Sequence, residues 1–308
     1  MKALLRSLAC IIILVIPFVG ACAETVETCP PDKGVALQVL GSGGPIADDG
    51  RASSGYIVWV DGQSRVLIDA GGGTFLRFGE AGADFADLSF AGLSHLHTDH
   101  SADFPALLKS GNFSGRKRAL NVGGPDARGV FPGLKDWLQR LLQADSGAFA
   151  YLSGFLDGTR GLPMLVVREI DGEDAAAVYK DDDLLVTAMH VPHGIVPAVA
   201  FRVEVRDKSL VFASDQNGSK AAFADFAAGA SVLVMHLVVP EDVSGIGRKL
   251  HAPPSVVGNI AGKAQPGKLV LSHFMARSLR DLDSNVALVR ERYDGDVVLA
   301  EDLACIGL

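Results

Sequence analysis

Three histidines and one aspartate lie within six residues of the chain, in the segment HLHTDH from His95 to His100. The segment follows a predicted strand at residues 88–93. Side chains alternate along an extended chain, so His95 and His97 are expected on one side, while Asp99 and His100 point back from the other. Imidazole nitrogen and carboxylate oxygen suit zinc and its neighbours in the transition series. This short loop is therefore predicted to contribute ligands to two adjacent metal ions.

The HLHTDH segment resembles the HxHxDH signature of the metallo-β-lactamase superfamily, and later segments match further motifs of that family in order. The resemblance covers roughly residues 35–299. It implies that each matched residue lies at the end of a strand. The four further matches are Asp69 before three glycines, His193 in HGIVPAVAFRVE, Asp215 in FASDQ and His273 in LVLSHFMAR.

The resemblance implies two metal ions with separate ligand sets. The expected ligands of the first ion are three histidines, His95, His97 and His193. Those of the second ion are Asp99, His100 and His273, with Asp215 bridging both ions. Asp69 is expected to orient the metal loop without binding an ion itself. We expect two Zn²⁺ per chain, with Mn²⁺ or iron as an alternative at one site.

A hydroxide shared by the two ions is the expected nucleophile, because two ions about 3.5–4 Å apart can hold both the attacking and the leaving oxygen. Asp99 is expected to take part in catalysis. His251 matches the histidine that assists proton transfer to the leaving group in ribonuclease Z, so it is expected to be the general acid. His190 is a rival of His193 as a ligand, and the role of His236 stays open.

The HFMAR ending resembles the ribonuclease Z-like branch, but three departures speak against tRNA processing. Leu237 follows His236 where that branch has glutamate, and the interval from His193 to Asp215 leaves no room for a tRNA-gripping arm. The chain also carries 28 Lys and Arg against 36 Asp and Glu, a net charge of −8, which disfavours a polyanionic partner. We therefore expect an exported enzyme, similar to arylsulfatase-like members of the branch, that hydrolyses small sulfate or phosphate esters without a nucleic-acid partner.

Two alternatives stay open at this point. The same metal site could hydrolyse a lactone, a thioester or a β-lactam, although many zinc β-lactamases carry cysteine at the position of Asp215. A non-catalytic envelope protein that only binds metal or ligand is the alternative from another class. The combination of Asp99, Asp215 and His251 speaks against it, because simple metal storage needs none of this arrangement. The oligomeric state is left open.

Residues 1–22 predict an export signal, with basic Lys2 and Arg6 followed by an apolar segment at residues 11–19 and a small-residue exit. The small residues after the apolar segment fit a bacterial lipobox at Cys22 and an ordinary cleavage site equally well. The mature chain is expected in the periplasm, outside the cell, or attached to the envelope through a lipid on Cys22. Cys29 and Cys305 then remain, and an oxidising compartment favours a disulfide between them.

Short apolar segments alternate with longer amphipathic ones, which predicts a single hydrolase domain over residues 30–308. Strands are predicted near residues 35–40, 56–60, 66–69, 184–189, 198–205, 210–213, 232–235, 269–271 and 297–299. Helices are predicted near residues 134–142, 255–264 and 279–293, and residues 109–168 as an inserted cap. The fold class implied by the resemblance is α/β, an αββα sandwich of two mixed β-sheets flanked by helices.

Overall fold

A computed structural model describes Cys29 and residues 32–308. The predicted export signal and Cys22 lie outside the described residues. The predictions of export, of lipid attachment and of localisation therefore stay predictions. Among the described helices, none combines the length and the apolar character needed to cross a membrane.

Two seven-stranded sheets form the centre of the fold. The first sheet contains β1 Val35–Gly41, β2 Gly55–Val60, β3 Gln63–Ala70, β4 Phe90–Gly92, β5 Leu120–Pro125, β6 Leu165–Ile170 and β14 Cys305–Gly307, in the order β14-β1-β2-β3-β4-β5-β6. The second contains β7 Ala176–Lys180, β8 Leu184–His193, β9 Val196–Val205, β10 Lys208–Phe212, β11 Val232–His236, β12 Lys268–Ser272 and β13 Asp296–Leu299, in the order β13-β12-β11-β10-β9-β8-β7. Parallel and antiparallel pairs occur in both sheets, so both are mixed, as predicted.

Helices flank the sheets. They are α1 Thr74–Glu80, α2 Thr98–Ser101, α3 Phe104–Gly111, α4 Leu134–Leu142, α5 Gly154–Asp157, α6 Ala222–Phe226, α7 Gly245–Leu250, α8 Pro254–Ala264, α9 Ala276–Leu279 and α10 Leu282–Arg290. A 3₁₀ turn covers Ala150–Leu152. The amphipathic patterns at 134–142 and 255–264 are confirmed as α4 and α8, whereas the pattern at 279–293 is divided between α9 and α10.

The main core lies between the two sheets, and strand alternation explains its composition. In β1, Leu37 and Val39 belong to the core that also contains Phe201 of the second sheet. Ala36 and Leu40 belong to a second core, together with Phe104 of α3. Because both faces of β1 are covered, all seven of its residues are buried, and the sequence is almost continuously apolar.

The inserted cap predicted at residues 109–168 is wrong, because this segment contributes strands to the first sheet. β5 pairs with β4 and β6 in parallel. β5 contains Gly123 and Gly124, and residues without side chains weaken the strand pattern in the sequence. A Cβ atom at Gly123 would lie 2.6 Å from Cζ of Phe90, so the ring occupies the space of a side chain.

Six strand ends meet at one edge of the sandwich. β3 and β4 are parallel neighbours in the first sheet, and β10, β11 and β12 are parallel neighbours in the second. β8 is antiparallel to β9, which is antiparallel to β10, so β8 also ends at this edge. Polar residues that follow these strands are thereby brought together.

A disulfide joins Cys29 to Cys305, with 5.6 Å between the Cα atoms. Cys305 begins β14, which pairs with β1. The predicted bridge is thus present in the structure, and it ties the start of the described chain to the edge of the first sheet.

The double substitution Cys29→Ser/Cys305→Ser should lower the free energy of unfolding by about 5 kcal/mol, because a cross-link between residues 276 positions apart restricts the unfolded chain. Urea denaturation of the oxidised protein and of the variant measures the difference. The reduced parent protein is the control and should match the variant. Equal midpoints for all three proteins would show that the bridge does not stabilise the fold.

Candidate metal centre

The candidate site begins with the loop that follows β4. His97 precedes α2, and Asp99 and His100 lie within that helix. The loop packs closely on the turn after β3. A Cβ atom at Gly71 would lie 2.0 Å from the carbonyl oxygen of Asp99, so only glycine fits there.

The remaining site residues lie at the ends of other strands. His193 is the last residue of β8, and Asp215 and His273 follow β10 and β12. Asp69 and His273 have positive φ angles of 60° and 56°, and so does Ser214 with 59°. Such a backbone costs non-glycine residues free energy and is typical of functional sites.

The structure brings together all seven side chains that the sequence analysis proposes as ligands. One cluster contains His95, His97 and His193, and another contains Asp99, His100, Asp215 and His273. Each residue offers one ligand atom, and within a cluster these atoms all lie within 4.8 Å of one another. All of these residues except half-buried His97 are buried.

In the first cluster, Nε2 of His95 lies 3.0 Å from Nδ1 of His97. The Nδ1–H group of His193 donates a hydrogen bond of 2.9 Å to the carbonyl oxygen of Leu250, which fixes the tautomer and leaves the Nε2 lone pair facing the cluster. This buried Nε2 atom has no hydrogen-bond partner among the described residues. A metal ion would satisfy it.

In the second cluster, Nε2 of His100 lies 3.0 Å from Nε2 of His273. Asp99 Oδ2 is 3.2 Å from the same nitrogen of His273. On its other side, His100 donates from Nδ1 to Asp69 Oδ2 at 2.7 Å. Asp69 also accepts hydrogen bonds from the backbone N–H and the hydroxyl of Ser94, at 2.7 and 2.9 Å. The structure thus places Asp69 behind the loop, where it orients His100.

Asp215 lies between the two clusters. Its Oδ2 atom is 3.7 Å from Nε2 of His193 and 3.8 Å from Nε2 of His100. Its Oδ1 atom is 3.6 Å from Nε2 of His273. A carboxylate in this position can reach a metal ion in either cluster.

The protonation states of His95, His97, Asp99 and Asp215 favour cation binding, whereas at His100 and His273 the nearby carboxylates outweigh burial and raise the pKa of the imidazole. Burial lowers the pKa of His95 and of His97, so both imidazoles are neutral at pH 7. Burial raises the pKa of a carboxyl group, but the surrounding histidines outweigh it and hold the pKa of Asp99 and of Asp215 well below the usual range. Neutral imidazole and ionised carboxylate are the forms that bind metal ions.

The spacing of the donor atoms also fits a divalent cation. Tetrahedral coordination with bonds of 2.0–2.1 Å places ligand nitrogens about 3.3 Å apart. The two closest pairs of imidazole nitrogens are each separated by 3.0 Å. Within the described residues, neither Asp99 nor Asp215 has a lysine or arginine partner to balance its buried charge. The clusters are therefore suited to divalent metal ions.

His251 follows α7 and lies in the cleft above the clusters. Its Nδ1 atom is 3.7 Å from Oδ2 of Asp215, and its ring centre is 5.3 Å from that of His193. The side chain is buried, and burial lowers its pKa to about 3, although the charge of Asp215 opposes this. The cleft has a volume of about 560 Å³ and is also lined by Leu96, Met275 and Arg277.

The sequence analysis missed the role of His236. This residue ends β11, and its Nδ1–H group donates a hydrogen bond of 2.6 Å to Oδ1 of Asp215. Burial lowers its pKa to about 4, so the imidazole is a neutral donor at pH 7. A single histidine in an apolar strand carries no local signal for this contact.

His190, the rival ligand, lies outside both clusters. Its Nε2 atom is 2.7 Å from the carbonyl oxygen of Ile170 and 3.2 Å from Oδ1 of Asp126. Asp126 follows β5 and Ile170 ends β6, both strands of the first sheet, whereas His190 belongs to β8 of the second. Its contacts therefore connect the two sheets.

The substitution His236→Ala should lower the affinity for zinc about 10- to 100-fold, because the hydrogen bond that orients Asp215 is lost. His236→Asn is the matched control, since its amide can replace the Nδ1–H donor, and it should retain most of the affinity. Competition with a chromophoric chelator measures both constants. Equal losses in the two variants would show that the hydrogen bond has no such role.

Comparisons with known proteins identify the family. The family model described as "Beta-lactamase superfamily domain" matches residues 64–274. A relative named Ribonuclease Z from Mycobacterium marinum is 28% identical over 283 residues, which cover 87% of this chain and 97% of the relative. Another Ribonuclease Z, from Mycolicibacterium gilvum, is 27% identical and is covered to 94%.

Solved structures share the fold. The metallo-beta-lactamase fold protein YhfI from Bacillus subtilis superposes with a TM-score of 0.67 at 20% identity, covering 88% of this chain and 98% of that one. The short form of human tRNase Z superposes with a TM-score of 0.68, also at 20% identity and with the same coverage. At this identity, the likeness shows the fold alone.

The named relatives contradict the expected function and partners. The expectation of a small sulfate or phosphate ester as substrate, without a nucleic-acid partner, is wrong. The matching relatives carry the name of a ribonuclease. The lactone, thioester or β-lactam alternative and the non-catalytic alternative gain no support from these names. The net charge of −8, one of the three grounds for that expectation, describes the whole chain and not the cleft.

The matched range, residues 64–274, contains every residue of both clusters, as well as Asp69, His236 and His251. The two seven-stranded sheets and their flanking helices form the αββα sandwich expected from the sequence. The chain therefore belongs to the metallo-β-lactamase superfamily, and its relatives support the ribonuclease Z-like branch.

Proposed function

We propose that this chain is a divalent-metal-dependent hydrolase that cleaves phosphodiester bonds in RNA. The observation that carries the proposal is the position of Asp215, whose carboxylate oxygens lie 3.6–3.8 Å from histidines of both clusters and beside the cleft. Two adjacent cations in such a site suit the transfer of a phosphoryl group. The name shared by the curated relatives supports a phosphodiester of RNA as the substrate.

We infer that the clusters hold two Zn²⁺, one in each. The residues that would hold the first ion are His95, His97 and His193. Those that would hold the second are Asp99, His100 and His273, with Asp215 shared between the ions. Divalent ions in these clusters supply Lewis acidity, which neutralises phosphate charge and lowers the pKa of a water molecule.

The other residues of the cleft act on the substrate or hold the ligands in place. Asp69 and His236 keep His100 and Asp215 in position through hydrogen bonds of 2.7 and 2.6 Å. The guanidinium of Arg277 brings positive charge to the cleft, where the phosphodiester must lie. His251 lies on the cleft side of Asp215 and would give a proton to the departing oxygen.

The proton donor must be charged when it acts, and burial holds the pKa of His251 at about 3 in the substrate-free protein. A phosphodiester carries a negative charge into the same cleft. A nearby negative charge raises the pKa of an imidazole. The proposed role therefore depends on substrate binding, and the leaving-group experiment in the Discussion tests it.

The products of cleavage distinguish this mechanism from ordinary RNA breakdown. Attack by water does not use the 2′-hydroxyl of the substrate, so no 2′,3′-cyclic phosphate should form. A labelled oligoribonucleotide, an aryl sulfate and a bis-aryl phosphate should be incubated with the zinc-loaded protein, and the RNA ends mapped. RNA cleavage without cyclic phosphate is expected. Turnover of the aryl sulfate alone would overturn the proposal.

A further inference from the structure

Four aromatic side chains and one lysine form a surface beside α3 that the proposed chemistry does not use. We call this surface the α3 platform, and its members are Phe75, Lys109, Phe113, Phe149 and Tyr151. Phe75, Phe113 and Tyr151 expose 42%, 76% and 56% of their surface. With small side chains of α3, they line a depression of about 450 Å³.

The exposed rings come from three elements around α3, because Phe75 lies in α1, Phe113 follows α3 and Tyr151 lies in the 3₁₀ turn. The inner face of α3 already fills the core with Phe104, Leu107 and Leu108. The outer face of a surface helix is normally polar. Several exposed aromatic rings that line one depression are instead typical of a binding surface.

Lys109 gives the platform its charge. Its Nζ atom lies 4.6 Å from the ring centre of Phe113 and 5.3 Å from that of Tyr151, so the ammonium group lies near two aromatic faces. No carboxylate occurs among the residues that line the depression. In a chain of net charge −8, this local surface is suited to an anionic partner that also carries flat, apolar groups.

The platform is connected directly to the metal loop. α3 begins three residues after α2, which contains Asp99 and His100. Asp103 lies between the helices and accepts hydrogen bonds from the backbone N–H groups of Gly73 and Phe75, at 2.8 and 2.9 Å. Lys109 follows His100 by only nine residues, so the platform and the metal loop are close neighbours along the chain.

We propose that the α3 platform binds unpaired bases of the RNA strand whose phosphodiester enters the metal cleft. Bases stack on the rings of Phe113 and Tyr151, and Lys109 contacts backbone phosphate. Aromatic rings combined with a cation are the usual means of binding single-stranded nucleic acid. This inference rests on the proposed function, and it adds a base-binding surface outside the metal cleft.

The test measures RNA binding without cleavage. An Asp215→Asn protein and the same protein with Phe113→Ala are titrated into a fluorescent, unstructured oligoribonucleotide, and anisotropy gives Kd. Loss of the ring should raise Kd about tenfold. Phe113→Trp should retain the affinity, whereas Phe113→Leu, which keeps apolar area but cannot stack, should lose it. Val130→Ala removes another highly exposed apolar side chain, outside the platform, and serves as the matched control.

A second probe identifies the bases as the bound groups. An oligoribonucleotide with abasic positions keeps the phosphates and should bind the parent protein about tenfold more weakly, with no further loss in Phe113→Ala. Equal Kd values for Phe113→Ala and its parent would overturn the inference. So would a dimer in sedimentation that Phe113→Ala converts to a monomer with unchanged RNA affinity, because a second copy would then cover the platform. Failure of the parent protein to bind or cleave RNA at all would instead reject the proposed function.

Discussion

Replacing Asp215 by asparagine should lower kcat/KM for phosphodiester hydrolysis by about a thousandfold or more. Asparagine keeps the shape of the side chain but removes the charge that lies between the two clusters. The Lewis acidity of bound metal ions contributes several kcal/mol to such reactions, and each 1.4 kcal/mol corresponds to a factor of ten. Steady-state kinetics and a metal count on the same preparation provide the measurement.

Asp126→Asn is the matched control for this prediction. It removes a carboxylate beside His190, away from both clusters, and should leave kcat/KM within a few fold of the parent value. Circular dichroism should show that both variants are folded. An Asp215→Asn enzyme that binds two metal ions and turns over at the parent rate would contradict the assignment of the shared carboxylate.

Replacing His251 by alanine should slow the cleavage of RNA by about 100- to 10,000-fold, the usual contribution of a general acid. An alkoxide is a poor leaving group and needs a proton, whereas nitrophenolate leaves without one. The loss should therefore be far smaller for bis(4-nitrophenyl) phosphate. Single-turnover rates with both substrates give the two ratios.

The control for this prediction is a glutamine at position 251, because glutamine retains a hydrogen-bond donor but transfers no proton. His251→Gln should resemble His251→Ala with RNA. Equal losses on RNA and on the nitrophenyl ester would remove the general-acid role and leave His251 as a residue that shapes the cleft, consistent with its buried position beside Asp215.

The candidate ligands could be located from the sequence because metal binding needs a few residue types at strand ends. The HLHTDH segment concentrates four of the seven within one loop. His193, Asp215 and His273 each follow an apolar strand that the sequence predicts well. The structure brings all of them together because these strands end at the same edge of the sandwich.

Other features depend on contacts that no local pattern records. His236 belongs to an apolar strand, and only the fold reveals its hydrogen bond to Asp215. β5 is obscured by Gly123 and Gly124, whose missing side chains make room for Phe90 and for neighbours outside the sheet. The substrate class was misjudged in part from a total charge of −8, although Arg277 at the cleft and Lys109 on the α3 platform are positive where an RNA would lie.

The most direct test of the central claim is a zinc titration of RNA cleavage. The protein is freed of metal with a chelator, the chelator is removed, and a labelled oligoribonucleotide is added at increasing ratios of zinc to protein. We expect cleavage to be absent without zinc, to reach its maximum at two equivalents, and to stay about a thousandfold or more slower in Asp215→Asn throughout. A protein that binds two equivalents of zinc and leaves RNA intact would contradict the claim.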